Sequence, residues 1–418
     1  MKNFKQEMKW KVQRIKNIYH WLAAMYAVIR WGYPAGKMTV IGVTGTDGKT
    51  TTSTLIYEML MAAGIKAGLI STVEAKIGNE TADTGLHTTN PDPRQLQPLI
   101  KRMAGKGITH LVLEVTAHGL DQSRVLGCNF KIGVLTNITH EHLDDFVDMK
   151  RYREAKLKLF GGVEDVVLNG DDPGFEYIKS QITNHKSQTN SNTRIFKYKK
   201  TTLKSISPAL DGDYNKYNIG AAEIVGKILK IDPRIVAGVV KNFTGVPGRR
   251  EEVKAGQDFR VIVDFAHTPN ALEQVLKQLR TELRNRSRLI LVFGCTGERD
   301  KTKRPMMGEI AERLADVAII TSDDTRGESQ DEIAAQIISG MKNTPLKSPS
   351  LIKEGVGGVL IENDRKKAIE MAIGMAKSGD VVLLAGKGHE KSILLGKTEY
   401  PWSDEKVAKE IIAKAKRP

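Results

Sequence analysis

The sequence predicts an α/β protein: two doubly wound domains, each a mostly parallel sheet between helices, behind a short N-terminal helix. Three observations predict this class. Apolar runs of strand length alternate with stretches of helix length along most of the chain. A glycine-rich loop follows the first such run and leads straight into a helix pattern, the arrangement of a P-loop-type nucleotide site. A second, Rossmann-like strand–helix series starts after a break containing Gly245, Pro247 and Gly248.

Residues 1–37 are expected to form the N-terminal helix. Lys and Arg crowd residues 1–17, and residues 18–29 then run apolar to Arg30. The uninterrupted apolar part, 21–29, is far short of the roughly 20 residues that span a bilayer. A small-residue cleavage site is not evident, which argues against a secretory signal. Two readings remain. The helix packs on the protein's own surface, or residues 1–33 lie at a membrane interface, with Trp10, Tyr19, Trp21, Tyr26, Trp31 and Tyr33 at headgroup level and the cations on anionic lipid. The second would make a cytoplasmic protein peripheral on the inner face of the membrane.

The central domain is assigned to residues 38–245. Strands are expected at 38–44, 66–71, 109–115, 132–136 and 165–169, with a helix over 51–63. The polar run HKSQTNSNT at 185–193 reads as a surface loop, and 242–250 as a linker. The C-terminal domain, 246–418, has strand candidates at 261–265, 289–294, 317–321 and 381–386. Ligands in such sheets sit at the C-terminal ends of the strands.

With 418 residues the chain has room for two or three cores. Its two cysteines, Cys128 and Cys295, exclude a disulfide framework or a Cys-rich zinc site. A formal net charge of +15 suits polyanionic partners. Without a nucleic-acid-binding motif or an aromatic-interleaved basic stripe, nucleotide and membrane phosphates fit better than nucleic acid.

The chemistry begins at Gly45-Thr46-Asp47-Gly48-Lys49-Thr50. Glycines let backbone N–H groups close on phosphate, Lys49 adds a point charge, and the Thr50 hydroxyl suits Mg²⁺. A strict P-loop would need Gly at position 43, where this chain has Val43. Glu114 ends a strand of the same sheet, within reach of a phosphate-bound metal. It is followed by Thr116, His118, Gln122 and Arg124, then by the run TNITHEHLD carrying His142, and then by Lys156 in YREAKL. Farther on come NKYN with Asn215 and Asn218, Gly248-Arg249, DFAHTP with Asp264 and His267, FGCTGERDKTKRP with Arg299, DDTR with Asp323, Asp324 and Arg326, and AGKGHE with Gly386 and Glu390.

These blocks, in this order over residues 38–410, resemble the Mur ligase family, and the MurE type within it. The resemblance implies ATP-dependent formation of an amide bond through an acyl phosphate, with ATP and two Mg²⁺. It implies ATP binding by Gly45 to Thr50, Thr51, Asn215, Asn218, Arg249, Asp264 and His267. Metal contacts would come from Thr50, Glu114, His142 and Lys156, the last carbamylated by CO₂, with Lys158 its alternative by proximity. Lys49, Glu114, His142 and Lys156 would be the catalytic set. Thr88, Thr89, Thr116, Gln122 and Arg124 would meet the acceptor. Arg299, Asp323, Asp324, Arg326, Gly386 and Glu390 would meet the incoming amino acid, with the four cations of the RDKTKR run drawing in its carboxylate. Arg326 stands where diaminopimelate-adding members clamp a distal carboxylate, so a diaminopimelate-like amino acid is expected on a muramoyl-dipeptide acceptor. A monomer working on small molecules is expected.

Departures are local. Glu141 replaces the usual Asp of the His142 block, Thr116-Ala117 replace two serines, and Asp324-Thr325 replace Asn-Pro. Asn90 reads as an insertion in the acceptor loop. Only 37 residues precede the first strand, too few for the domain of about 90 that holds uridine in MurE enzymes. A related ligase with a lipid-linked or folylpolyglutamate-like acceptor, a simple ATPase and a non-catalytic nucleotide-binding scaffold therefore stay open as alternatives.

Overall fold

The computed structural model describes residues 2–82, 89–139, 146–189, 192–284, 286–342 and 358–415. Two compact units emerge, residues 1–244 and 245–418.

The first unit opens with helix α1 (Lys2–Arg30) and a 3₁₀ turn at Pro34–Lys37. Strand β1 (Thr39–Thr44) leads through the glycine loop into α2 (Lys49–Ala62). There follow β2 (Ala67–Ile70), β3 (Ala75–Ile77), β4 (Glu80–Ala82), α3 (Pro93–Gly105), β5 (His110–Glu114), the short α4 (Ala117–Asp121) and β6 (Phe130–Leu135). Next come α5 (Met149–Leu157), β7 (Asp165–Asn169), α6 (Phe175–Thr189), β8 (Arg194–Tyr198), α7 (Asp213–Ile228) and α8 (Pro233–Asn242). The strand order is β4-β3-β2-β5-β1-β6-β7-β8, parallel from β2 to β8, with β3 and β4 an antiparallel extension. β1 is therefore flanked by β5 and β6, and the loops leaving these three strands share one end of the sheet. That is the topological switch point, where open α/β sheets bind ligands.

The second unit contains β9 (Glu251–Glu252), β10 (Arg260–Asp264), α9 (Pro269–Glu282), β11 (Leu289–Phe293), α10 (Lys303–Leu314), β12 (Val317–Ile320) and α11 (Gln330–Ile338). It finishes with β13 (Gly358–Ile361), α12 (Arg365–Met375), β14 (Val381–Ala385), the hairpin β15 (Ser392–Leu395)–β16 (Thr398–Pro401), and α13 (Asp404–Ala415). Its sheet runs β13-β12-β11-β14-β10-β9, parallel except for β9.

The sequence explains the punctuation. Several helices start with an Asx or Thr cap followed by proline, whose missing N–H costs nothing at a helix start. Asp92, Asp232 and Thr268 accept from Arg94 N, Arg234 N and Ala271 N at 2.9, 2.8 and 3.1 Å. The central strands are buried on both faces, as parallel strands between helix layers must be. One expectation fails. Residues 185–189, read as loop, continue α6 to Thr189, because no Gly or Pro between Phe175 and Thr189 interrupts the helix.

Candidate active site

In the first unit the glycine loop is fastened from beneath. Gly45 and Gly48 have φ of 153° and 79°, and a Cβ on either would meet a side chain, Thr136 Oγ1 at 1.8 Å or Asn218 Oδ1 at 2.2 Å. Only glycine fits both demands. Thr46 N donates to the Asn137 carbonyl and Asp47 N to Asn137 Oδ1, both at 2.9 Å, while Thr136 Oγ1 donates to the Asp47 carbonyl at 2.6 Å. The end of β6 thus moulds the loop that follows β1. Gly48 caps α2, so Lys49 and Thr50 lie in its first turn, where amides lack intrahelical partners and the dipole favours an anion. Lys49 Nζ donates to the Thr46 carbonyl at 2.8 Å. From α7, Asn218 accepts from Thr52 Oγ1 at 3.3 Å and donates to Asn215 Oδ1 at 2.9 Å, which places both asparagines beside the loop.

Glu114 is buried at the end of β5, in register with Val43. Its carboxylate accepts from Thr72 N at 3.0 Å and Thr72 Oγ1 at 2.8 Å, and Thr72 Oγ1 also lies 2.8 Å from Thr89 Oγ1. Each carboxylate oxygen keeps capacity for a further partner.

Lys156 lies one helical turn after Tyr152 on α5, so both face the loop. Its side chain is buried, its Nζ donates to the Gly45 carbonyl at 2.6 Å, and the Tyr152 ring lies 4.5 Å away. Tyr152 Oη in turn lies 3.2 Å from Thr46 Oγ1. Lys158 turns to the surface and pairs with Asp121 at 2.5 Å. Of the two, Lys156 faces the loop and Lys158 does not. Thr88 and His142 fall outside the described residues.

Asn90 is the residue that sequence reasoning undervalued. The insertion in the acceptor loop is buried. Its Nδ2 donates to the Glu114 carbonyl at 2.7 Å, and its Oδ1 accepts from Thr116 N at 2.8 Å and Thr116 Oγ1 at 2.9 Å. Arg124 Nη1 donates to the Asn90 carbonyl at 2.8 Å and its Nε to Gln122 Oε1 at 2.9 Å. Thr116, Gln122, Arg124 and Thr89 therefore form one hydrogen-bonded group around the Glu114 strand end.

In the second unit the residues gather at the C-terminal ends of β10, β14, β11 and β12. Gly248, at φ 67°, packs so closely that a Cβ would lie 2.0 Å from His389 N. Arg249 stacks on Phe265 at 4.3 Å, and His267 meets the same ring at 4.4 Å. Asp264 accepts from Arg250 N and Ala266 N, both at 2.8 Å. Burial lifts its carboxyl above the ordinary value, opposed by Arg249 and these two amides.

Beside this lies a charged knot. Lys387 Nζ is 2.8 Å from Asp324 Oδ1, 2.5 Å from Glu390 Oε2 and 4.0 Å from Asp323 Oδ1. The three carboxylates could in principle hold a metal, but the buried Lys387 ammonium already sits among them. Asp324 also accepts from Leu394 N at 2.9 Å. Its charge is thus met by Lys387 and the hairpin. Burial pushes the Glu390 carboxyl up to about 7, with Lys387 opposing and Asp323 adding to the rise. Asp323 is held below its ordinary value: burial works against this, but Lys387 and Arg365 outweigh it. Gly386, at φ 111°, leaves room for Asp323, whose Oδ2 would lie 2.9 Å from a Cβ there. Arg326 has φ 51° and a buried Nε without a hydrogen-bond partner among the described residues.

The four-cation reading of the RDKTKR run needs correction. Arg304 is fully buried and pairs with Glu328 at 2.9 Å, Lys301 pairs with the same carboxylate at 2.9 Å, and Lys303 donates to the His267 carbonyl at 2.8 Å. Burial works against ionisation of Glu328, yet the hydrogen bonds from Arg304 and Lys301 hold its carboxyl at about 2. These three cations build the site's wall. Arg299, at the same strand end, is half-buried.

Comparison with known proteins places this geometry. Residues 43–226 match the Mur ligase middle domain and 248–388 the Mur ligase glutamate ligase domain. A UDP-N-acetylmuramoyl-L-alanyl-D-glutamate–2,6-diaminopimelate ligase from Bacillus cereus is 36% identical, over 95% of this chain and 82% of its own. A solved structure of an enzyme of that name is 28% identical, with a TM-score of 0.58 over 91% of this chain and 79% of its own. Mycobacterium tuberculosis folylpolyglutamate synthase complexed with ADP shares the fold, with a TM-score of 0.70 at 13% identity over 99% of both chains.

Proposed function

Because the chain belongs to the Mur ligase family, we propose that it is an ATP-dependent ligase that adds a diaminopimelate-like amino acid to the peptide carboxylate of a muramoyl-dipeptide acceptor in peptidoglycan precursor synthesis. Residues 38–245 serve as the nucleotide- and acceptor-binding domain, and 246–418 as the domain that receives the amino acid. A monomer acting on small molecules suffices for this chemistry.

The observation that carries the reading is the gathering of the glycine loop, Glu114 and buried Lys156 at one end of the sheet. The loop and the first turn of α2 bind the phosphates, and Lys49 swings from its carbonyl contact to the transferring phosphoryl group. The acceptor carboxylate attacks the γ-phosphorus and ADP leaves. The amine of the incoming amino acid then attacks the acyl phosphate, and phosphate departs as the amide forms. Positioning and neutralisation of charge supply most of the rate in such reactions. Thr50 and Glu114 offer hard oxygen donors that fit Mg²⁺, with His142 joining them by its place in the motif. When bound, two Mg²⁺ neutralise phosphate charge. Lys156 is proposed to carry the CO₂-derived carbamate. Beside a phosphate-binding loop it would convert a buried cation into the anion a second metal needs. Asn215, Asn218, Arg249, Asp264 and His267 are proposed to hold the nucleoside. Arg299, Arg326 and Glu390 are proposed to take the amino acid, with Asp323, Asp324 and Gly386 shaping that pocket.

A phosphate-release assay crossing UDP-MurNAc-dipeptide, lipid-linked and folate acceptors with diaminopimelate, lysine and glutamate tests the reading. Release that depends on UDP-MurNAc-dipeptide and diaminopimelate together is expected. Release with no amino-acid dependence would overturn it. For the lysine, Lys156→Ala is expected to be nearly inactive and partly restored by a small carboxylate such as formate. Full activity in Lys156→Ala would remove the carbamate from the mechanism.

A further inference from the structure

Helix α1 is fastened to the first unit by one face. Asn17 Nδ2 donates to Asp121 Oδ2 at 2.8 Å, Arg151 pairs with Glu7 at 3.0 Å and stacks on Trp10 at 4.2 Å, and Val28 packs where Gly127 leaves no room for a Cβ. Ala24, Ala27 and Val28 are buried. These contacts leave the opposite face uncovered, and that face is not polar. Val12, Ile15, Tyr19, Leu22, Tyr26 and Ile29 recur at alternating spacings of three and four, which aligns them in one stripe along the helix. Their relative exposures run from 46% to 71%. An apolar stripe of this length on an otherwise well-packed unit calls for a partner.

Charge decides which partner. Among residues 2–37 the only acid is Glu7, held by Arg151, against eight Lys and Arg. Lys11, Lys16 and Arg30 stand exposed beside or within the stripe, while Arg14 reaches back to Asp121 at 3.9 Å. Pairing with a second copy through the stripe would bring cation against cation with no acid to answer it, the opposite of what helix pairs use at flanking positions. An anionic lipid surface answers both features. Apolar side chains enter the acyl boundary, Tyr19 and Tyr26 sit at headgroup depth, and the flanking cations meet lipid phosphates. No described helix is long and apolar enough to cross a membrane, so α1 would lie along it. We propose that the outer face of α1 docks this protein on anionic membrane surfaces. The inference stands apart from the substrate assignment, since none of these side chains belongs to the candidate site.

Co-sedimentation of the full chain tests it, with phosphatidylcholine vesicles containing about one-third phosphatidylglycerol, at about 0.1 M salt. Binding at least about tenfold stronger than to phosphatidylcholine alone is expected. The double variant Ile15→Glu/Leu22→Glu should lose at least about tenfold in binding, and Lys11→Glu/Lys16→Glu likewise. Both should keep their circular dichroism and their solution ATPase or ligase rate, since every altered side chain is exposed. Lys366→Glu/Lys367→Glu, an equal charge change on α12, should bind as the parent does. Wild-type protein left in the supernatant, or stripe variants that bind undiminished, would overturn the proposal. So would concentration-dependent dimerisation that Ile15→Glu/Leu22→Glu abolishes in a protein indifferent to vesicles, which would assign the stripe to a second copy.

Discussion

At the scale of single residues, the candidate site depends on side chains that position others. Asn90 fixes both the Glu114 strand end and the Thr116 cap. Asn90→Ala would leave a buried carbonyl and amide unpaired, at about 1–3 kcal/mol each by the usual scale of unmet buried groups. Thermal denaturation should register that loss, and the acceptor KM should rise with it. A variant with wild-type melting and kinetics would make Asn90 dispensable. Glu390 gives a pH test. Its folded-state value, about 7, lies above that of an ordinary carboxylate. The neutral form is therefore favoured in acid, and the stability it contributes is present below the ordinary carboxylate range and lost as pH climbs through about 7. A third of the side chain is exposed, so solvent screens the effect on stability, and substrate binding is the better readout. If Glu390 receives the distal amine, KM for diaminopimelate should fall as pH rises through about 7, and Glu390→Gln should flatten that limb while KM for ATP stays put. Arg326→Ala should raise KM for diaminopimelate at least about tenfold more than for ATP, the loss of one charge-assisted clamp. Equal KM values in variant and parent would remove Arg326 from the pocket.

At the scale of elements, the strand–loop–helix unit at 39–62 is the proposed phosphate site, and its shape was legible because the strand, the glycines and the helix are contiguous. Lys49→Ala should lower turnover at least about 10²-fold, the scale of one preorganised charge, with folding unchanged by circular dichroism. Near-normal turnover would refute the assignment. Gly248→Ala should fail differently. A methyl group 2.0 Å from the His389 amide forces the backbone apart, at a position whose φ also resists a side chain. Loss of stability localised to the second unit, seen by hydrogen exchange, is the expected sign. Other elements could not be read from the sequence. The β3–β4 and β15–β16 strands are three or four residues long, too short for a period to appear. Residues 185–189 look like loop by composition but extend a helix already begun. The RDKTKR cations looked available because their common answer, Glu328, lies 24 residues beyond Arg304 and only the β12 end brings it near.

At the scale of the whole molecule, each unit has its own core, and the two can be addressed separately. The first is built on Val40, Leu111, Leu113 and Leu135 with α3 and α6 packed on one side, the second on β10, β11 and β14 between α9–α10 and α12–α13. Alternating apolar runs made two doubly wound sheets legible, but strand order was not, since order is set by crossovers that leave no mark on any one segment. Nor was the buried Arg365–Asp404 pair, 2.6 Å apart, legible from residues 39 positions distant. It ties α12 to the start of α13, and its Arg365 also donates to the Ser322 and Ala385 carbonyls and helps hold Asp323 ionised. Removing one member of a buried pair strands the other, at about 3 kcal/mol or more. For a unit of this size that corresponds to roughly 6 °C or more in melting temperature. Calorimetry of Arg365→Met should therefore show the C-terminal transition moved down and the N-terminal one left in place. A non-hydrolysable ATP analogue at about 100 times its Kd should add about 2.7 kcal/mol to whatever binds it. If the glycine loop is the principal phosphate site, that stabilisation must appear in the N-terminal transition of Arg365→Met as fully as in the parent, and must vanish from it in Lys49→Ala. An analogue that raised only the C-terminal transition would place the phosphates in the other unit and overturn the assignment of Gly45 to Thr50.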